Sequence, residues 1–455
     1  MDNVLSKNRT ILILFLEGFV SVSLQMVMMR QLVPFVGSSV IVSSLVVGIF
    51  LASLSLGYVY GGRVKTDHVK ILSRNLIISA GIISLGASYL FMNFWFSFSN
   101  SIINNPILEI SLYLLLFLAP IVFLLGQTVP ILTNFYKSNN VSEITGDTLA
   151  INTIGSVLGS IVTAIVFFYF FGMGKTILID VVLLGIVLFV LIDKKEYVKK
   201  GVISIPLMIF CYFVNVDYEE KSLTLTNSYN NYQVLKYPEG RYLIMNNSYA
   251  SALMNDDSNW EYINKIKKIM FHDKEMSLEN KDILVLGSGG FTLSYGNVPK
   301  NNFTYVDIDP MVKDVAEKYF LQNNINGEFI AEDARLFVKK SNKKYDSILV
   351  DLYSSRHSIP WHLLTNEFFS DIKSATKKDG YVFFNIVANG RFDSKYTRAI
   401  HNTINNNFNY CHSSPLTYDD QEYVNIIYIC KNVEEKESEI YVDNFSKSDL
   451  DEILN

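Results

Sequence analysis

The chain has 455 residues, 49% of them hydrophobic and 18% charged, with a net charge of −5 and a mean hydropathy of +0.22. That length exceeds what one hydrophobic core serves, and the apolar excess points to a membrane part. The weak acidic balance and the lack of a basic block argue against a nucleic-acid partner.

Residues 1–217 carry long apolar runs. A helical span needs about 20 such residues, and the candidates are 11–33, 39–60, 71–94, 107–132, 148–171 and 176–192. No small-residue cleavage site follows the first run, which reads as a retained span rather than a signal peptide. A seventh run, 201–216, is shorter and contains Pro206. It spans, lies re-entrant or rests at the interface.

Lys and Arg fall in alternate connections: Lys7 and Arg9 before the first span, then Arg63, Lys65, Lys70 and Arg74, then Lys137, then Lys194, Lys195, Lys199 and Lys200. The positive-inside rule puts the N-terminus in the cytoplasm. Six spans then leave the C-terminal half in the cytoplasm, and a seventh puts it outside. The six-span arrangement is the expectation here, for a multi-pass protein of the cell membrane.

Glu17, Gln25 and Arg30 lie in the first span. Charges at such depth are costly and face a partner or a cavity. They read as a buried pair holding the bundle, or as Arg30 reaching for the interface; the functional alternative is a substrate or ion pathway. Gly155, Ser156, Gly159 and Ser160 give small-xxx-small spacing for close helix packing.

From about residue 218 charges, Asn and Tyr rise. "YQVLKYPEGRYLIM" (232–245) reads as two strands joined by a Pro-Glu-Gly turn, and "WEYINKIKKIM" (260–270) as a helix. Strands at 283–287, 303–308, 327–331, 345–351 and 380–387 alternate with helices at 310–320, 334–340, 365–377 and 392–406. A hairpin of 408–413 and 424–431 follows. This alternation predicts a mostly parallel sheet with helices on both faces. The expected domains are 1–217 in the membrane, a small β-hairpin domain at 218–258, a Rossmann-like α/β domain at 259–435 and an acidic tail at 436–455. Cys411 and Cys430 flank the hairpin turn and read as two buried thiols. A disulfide there would imply an oxidising compartment.

In such a sheet ligands bind at the carboxyl ends of the strands. "LVLGSGGFTLSYG" (284–296) places Gly287, Gly289 and Gly290 after the first strand, where a ligand can approach bare backbone. Asp307 ends the second strand, 20 residues after Gly287, the usual separation for a carboxylate that receives ribose hydroxyls. Asp309 follows it. Asp333 in "AEDAR" is placed to meet an adenine amino group, and Asp351 in "ILVDLYSS" projects where the reacting end of a ligand belongs. Any one of these is more often a helix cap; several in register make a nucleoside pocket. The turn lacks a Lys-Ser/Thr phosphate cradle, so a sulfonium nucleoside of the S-adenosyl type fits better than ATP. His357 and His362 read as loop and helix-start residues, and no metal site is expected.

The order "YQ…WEY…LGSGG…VDIDP…EDAR…ILVD…YVFFN" resembles the polyamine aminopropyltransferases, the spermidine synthase family, over about residues 225–435. "EGFVSVSLQMVMMRQLVPFVGSS" and "INTIGSVLGS" are similar to its membrane-embedded branch. The resemblance implies a methyltransferase-like Rossmann fold preceded by a small β-hairpin domain and, here, a multi-span membrane domain. It also implies transfer of an aminopropyl group from decarboxylated S-adenosylmethionine, a co-substrate and not a prosthetic group, to putrescine or a similar amine. In that scheme Asp351 takes the proton from the amine. Gly287, Gly289, Asp307, Asp333 and Gln233 hold the nucleoside, and Tyr262, Tyr353 and Ser354 face the amine. Two positions depart from the family pattern: Gly290 and Ser354 stand where the family carries Asp. The amine, the nucleoside and the lipid bilayer are the expected partners, and a homodimer is compatible with the sequence. The other readings are a small-molecule methyltransferase using S-adenosylmethionine, and a transporter or sensor with a non-catalytic binding domain.

Overall fold

The computed structural model describes residues 6–433, apart from residues 38, 104, 136–140, 193–196, 275, 354–358 and 418–422. It divides into two compact units. The first comprises Met1–Ser258, Met311–Asn324 and Tyr353–Pro360; the second comprises Asn259–Pro310, Ile325–Leu352 and Trp361–Asn455.

Six helices among the described residues of the first unit are long and apolar enough to cross a membrane. They begin with α1 (Lys7–Val36), α2 (Val40–Gly62) and α3 (His68–Gly86). The apolar run 71–94 is not one rod. It breaks after Gly86, and Ser88 caps a separate helix α4 (Tyr89–Ser99) by accepting the Phe91 amide. The fourth candidate span, Pro106–Asn134, is made of α5 (Pro106–Leu116), α6 (Leu118–Gly126) and α7 (Thr128–Phe135). Asn105 and Pro106 start it, the first as cap and the second in the first turn, where a missing N–H costs nothing. The fifth joins α8 (Val141–Val162), a π-helical segment (Thr163–Phe167) and α9 (Phe168–Phe170), and the sixth is α10 (Gly172–Leu191). Exposed Leu51, Leu56, Ile161 and Ile165 give the bundle an apolar outer surface.

Small residues set the closest approach. A Cβ on Gly155 or Gly159 of α8 would run into the carbonyl oxygens of Phe15 and Phe19 on α1, and one on Gly18 would meet Asn152. Gly159→Leu therefore separates α1 from α8. Overpacking of this kind costs about 1–3 kcal/mol, and the full chain in detergent is expected to melt at a lower temperature than wild type. An unchanged melting temperature would mean that this contact does not hold the bundle.

Glu17 and Arg30 do not pair, which corrects the expectation of a buried ion pair. The Asn152 amide of α8 donates to Glu17 at 2.5 Å. Arg30, at the other end of α1, donates to the Asn227 carbonyl and the Asn231 side chain, both at 2.9 Å. A second carboxylate absent from the sequence reading, Asp180 on α10, accepts from Ser23 at 2.9 Å.

The seventh apolar run belongs to one unbroken helical stretch: α11 (Tyr197–Cys211), a π-helical segment (Tyr212–Asp217) and α12 (Tyr218–Ser222). Met208 packs on Gly185 of α10, whereas Asn215 lies against Gly174 and donates to the Ser84 carbonyl of α3 at 2.8 Å. The stretch therefore runs antiparallel to α10 and parallel to α3. Its outer face carries exposed Ile205, Ile209 and Phe213.

After it comes a four-stranded antiparallel sheet, β1 (Leu225–Thr226), β2 (Asn231–Tyr237), β3 (Gly240–Met245) and β4 (Ser248–Met254), in that spatial order. Asn246 and Asn247 both have positive φ in the β3–β4 turn, the geometry a tight two-residue hairpin needs. Besides the Arg30 bonds, Tyr89 of α4 donates to the Asn247 side chain at 2.5 Å, so α1 and α4 both hold this sheet.

The second unit carries a seven-stranded sheet in the order β10-β11-β9-β8-β5-β6-β7. Its members are β5 (Asp282–Leu286), β6 (Asn302–Asp307), β7 (Glu328–Ala331), β8 (Tyr345–Val350), β9 (Thr376–Ala388), β10 (Tyr410–Pro415) and β11 (Val424–Lys431). The pairs β9–β8–β5–β6–β7 are parallel, and β10 and β11 add an antiparallel edge. Ile283 to Leu286 are all buried, as a strand covered on both faces requires. The unit also holds α13 (Glu261–His272), α15 (Ala334–Lys340), α16 (Asn366–Ala375) and α17 (Lys395–Asn407); the intervening α14 (Val312–Val315) belongs to the first unit. Phe369 of α16 packs edge-on to Phe384 of β9, with ring centroids 5.2 Å apart. Cys411 and Cys430 face each other on β10 and β11 and are joined by a disulfide, which corrects the reading of two free thiols.

Candidate active site

The chain order reverses around β5, which has β6 on one side and β8 on the other. The crevice at the carboxyl ends of such strands is the usual ligand site. Glycine is required at the first position of the turn. Gly287 has φ +87°, and a Cβ there would collide with the carbonyl oxygen of Asp351 at the end of β8. Gly289 has φ +49°. The amide of Asp351 in turn donates to the Leu286 carbonyl at 2.9 Å. The glycine turn and Asp351 are thus fixed against each other.

Asp307 closes β6. One of its carboxylate oxygens accepts the Ser288 amide from the turn at 2.9 Å, and the other accepts the Asp309 amide at 3.0 Å. Each oxygen keeps a lone pair for a further donor. Burial pushes the Asp307 carboxyl up to about 6, against the pull of those amides, and the charge of Asp309 adds to the rise. The Asp307 carbonyl accepts the Glu332 amide at 2.9 Å, which ties β6 to the segment after β7.

Asp333 caps α15, accepting the Leu336 amide at 2.9 Å, while its second oxygen lies 3.7 Å from His362 Nε2. One oxygen is thus committed to the helix, and the carboxylate does double duty if it also meets a ligand. Glu332 forms an ion pair with Lys340 at 2.8 Å, so its charge is already answered. His362 also gives its carbonyl to Arg335, at 2.8 Å.

Asp351 is the centre of a polar chain. Tyr262 of α13 donates its hydroxyl to one carboxylate oxygen at 2.9 Å, and Asn385 of β9 donates its amide to the other at 2.8 Å. The Asn385 oxygen accepts from Asn425 of β11 at 2.8 Å. Burial of the carboxyl raises its pKa above the ordinary carboxylate range, and the two donors hold it back. The pairing of Tyr262 with Asp351 joins two residues singled out separately in the sequence. Asn385 and Asn425 were not singled out. Their signal was a pair of polar residues inside apolar strands, "FFNIV" and "VNIIY".

Gly287, Gly289, Asp307, Asp333, Asp351 and Tyr262 belong to the second unit. Gln233 lies on β2 of the first unit, paired with Ile244 of β3, and Tyr353 also belongs to that unit. Ser354 and His357 lie outside the described residues.

Residues 262–440 match the spermine/spermidine synthase domain. A polyamine aminopropyltransferase of Vibrio vulnificus is 34% identical over 110 residues, which are 23% of this chain and 36% of that protein. An eEF1A lysine and N-terminal methyltransferase homolog of Drosophila melanogaster is 29% identical over 166 residues, 34% of this chain and 24% of that protein. The chain therefore spans well under half the length of these curated relatives. The crystal structure of a probable spermidine synthase from Corynebacterium glutamicum superposes with a TM-score of 0.40 at 18% identity, covering 47% of this chain and 80% of that one.

Proposed function

We propose, on the premise that the chain belongs through residues 262–440 to the spermine/spermidine synthase family, that it is a membrane-bound aminopropyltransferase. It would move the aminopropyl group of decarboxylated S-adenosylmethionine to putrescine or a similar amine. The observation that carries this reading is the Asp351 carboxylate, held by Tyr262 and Asn385 beside the Gly287 turn.

An ammonium has no lone pair, so the amine loses a proton before it reacts. Asp351 accepts that proton, and its raised pKa makes it a better base than an exposed carboxylate. The amine nitrogen then attacks the methylene carbon next to sulfur. The new C–N bond forms as the C–S bond breaks, and the bonding pair returns to sulfur. The positively charged sulfonium becomes the neutral thioether methylthioadenosine. Tyr262 and Asn385 orient the base. Asp307 accepts the ribose hydroxyls with its remaining lone pairs, the oxygen of Asp333 that faces His362 meets the adenine amino group, and Gly287 and Gly289 line the approach. Gln233, outside the matched residues, completes the nucleoside contacts, while Tyr353 and Ser354 flank the amine.

The test is turnover by the detergent-purified full chain with putrescine and decarboxylated S-adenosylmethionine. Methylthioadenosine and a lengthened polyamine are the expected products. S-adenosylhomocysteine from S-adenosylmethionine would instead support the methyltransferase reading, which Gly290 favours by removing a family contact to the aminopropyl end.

Asp307 adds a pH signature. Its pKa in the folded chain, about 6, lies above the ordinary carboxylate value, and the ionised form is the better acceptor for hydroxyls. Affinity for methylthioadenosine should therefore hold above pH 6 and weaken below it, by at most about tenfold per pH unit. Calorimetric titrations between pH 5 and 8 measure this, and a flat profile would remove Asp307 from the ribose contact.

A further inference from the structure

We infer that the synthase domain stands on the face of the membrane opposite the N-terminus, outside the cytoplasm. The inference goes beyond the proposed reaction and begins with the two ends of the first unit. At one end, the Asn134 amide of α7 donates to the Gly62 and Val64 carbonyls, at 3.0 and 3.3 Å. This joins the end of α7 to the α2–α3 connection. At the other end, Gln31 of α1 donates to the Ala87 carbonyl after α3 at 3.2 Å, and Arg30 holds Asn227 and Asn231 of the small sheet. The start of α10 meets the same sheet, where the Met173 amide donates to Thr226 at 3.2 Å. The small sheet therefore caps the end of the bundle at which α1 finishes.

The stretch Tyr197–Ser222 carries the chain there. Its 26 residues make about 39 Å of helix, against a hydrocarbon core of about 30 Å. Met208 is level with Gly185, and Asn215 is level with Gly174 and Ser84. The stretch thus climbs past α10 from the end where α10 finishes to the end where it starts. Counted with the six other crossings, it gives seven. Beyond Ser222 no described helix is long and apolar enough to return.

Charge fixes the sign. Among the described residues, Lys7, Arg9, Arg63, Lys65, Lys70 and Arg74 lie at the end where α1 starts. Up to Ser222, the opposite end carries Arg30, Lys175 and Lys221 among the described residues, half as many. The positive-inside rule makes the first end cytoplasmic. The Cys411–Cys430 disulfide is of the kind that persists in an oxidising compartment, which agrees with the far side.

One consequence rests on the proposed reaction. Decarboxylated S-adenosylmethionine bears a sulfonium and an ammonium, and such charge does not cross the hydrocarbon core unaided. A transport step must then supply the nucleoside to this domain, and the methylthioadenosine it releases appears outside.

The test is single-cysteine labelling of the full chain, carrying Cys211→Ser, Cys411→Ser and Cys430→Ser as background, in intact expressing cells, which needs no activity. Glu239→Cys in the β2–β3 turn and Lys339→Cys on α15 replace exposed residues beyond Ser222, and Lys65→Cys replaces an exposed residue in the α2–α3 connection. A membrane-impermeant maleimide should modify the first two in intact cells and the third only after permeabilisation. The reverse pattern, or Lys65→Cys reacting together with Glu239→Cys, would overturn the inference. Labelling of all three after permeabilisation establishes that each variant is present and folded enough to react.

Discussion

Turnover by Asp351→Asn is expected to fall by about 10²–10⁴-fold, the usual contribution of a positioned general base. Methylthioadenosine affinity should stay near the wild-type value. The substitution is close to isosteric, and the surroundings can absorb it. Asp351 accepts from two donors, Tyr262 and Asn385. The oxygen of an amide at 351 still accepts from Asn385, and the Tyr262 hydroxyl can rotate to accept from that amide's NH2 group. A loss of turnover with binding intact would therefore report the missing base and not a collapsed pocket. Because Asp351 must be ionised to act, wild-type kcat should fall on the acid side, with a midpoint above the ordinary carboxylate pKa. Asn385→Ala offers a contrast. Without its amide the Asp351 carboxylate loses a partner that stabilises the charged form, so that midpoint should move further up. Unchanged turnover in Asp351→Asn would sink the general-base assignment.

The sheet was legible because its strands carry their own signature. "ILVL", "FTYVD" and "SILVD" are apolar runs that end in turn-forming or acidic residues, and each forms a strand within a residue or two of its expected bounds. The glycine turn was legible for a related reason: a positive φ leaves few residue choices, and Gly287 and Gly289 both have one. The partners of Asp351 on the sheet were not. Asn385 and Asn425 sit 34 and 40 residues along the chain from the groups they bond, and only strand pairing brings them together.

The N-terminal half shows the same limit. Apolar length located the long helices, yet it could not show the break between α3 and α4, because Gly86 and Ser88 interrupt the helix without interrupting the apolar run. Nor could it settle the run from 201 to 216, whose 16 residues, 12 of them hydrophobic, fall short of a full span. Its Lys and Asp flanks extend the helix beyond the apolar part, and contacts with α3 and α10 keep it in the bundle. Arg30 looked like half of an ion pair, because a charge in a span asks for an opposite charge. It donates to a carbonyl and an amide oxygen of the small sheet and interacts with the Glu219 carboxylate, groups that no one-dimensional pattern connects to it.

Gly290→Asp is expected to sharpen the enzyme for decarboxylated S-adenosylmethionine. The propyl chain of that substrate ends in an ammonium, and the family pattern meets it with a carboxylate at this position. Gly290 has no positive φ, unlike Gly287 and Gly289, so its backbone does not demand glycine. A charge-assisted hydrogen bond contributes about 1.5–3 kcal/mol, which is roughly a ten- to hundredfold gain in kcat/KM. S-adenosylmethionine carries its own carboxylate beside the ammonium, and a second carboxylate there repels it. The ratio of the two substrates' kcat/KM values should therefore move by more than either value alone. Gly290→Asn, the same shape without the charge, separates electrostatics from fit and should leave the ratio near wild type. If Gly290→Asp also leaves it there, the aminopropyl end does not lie against residue 290. The nucleoside would then extend from the Gly287 turn in another direction, toward groups that answer its charge elsewhere.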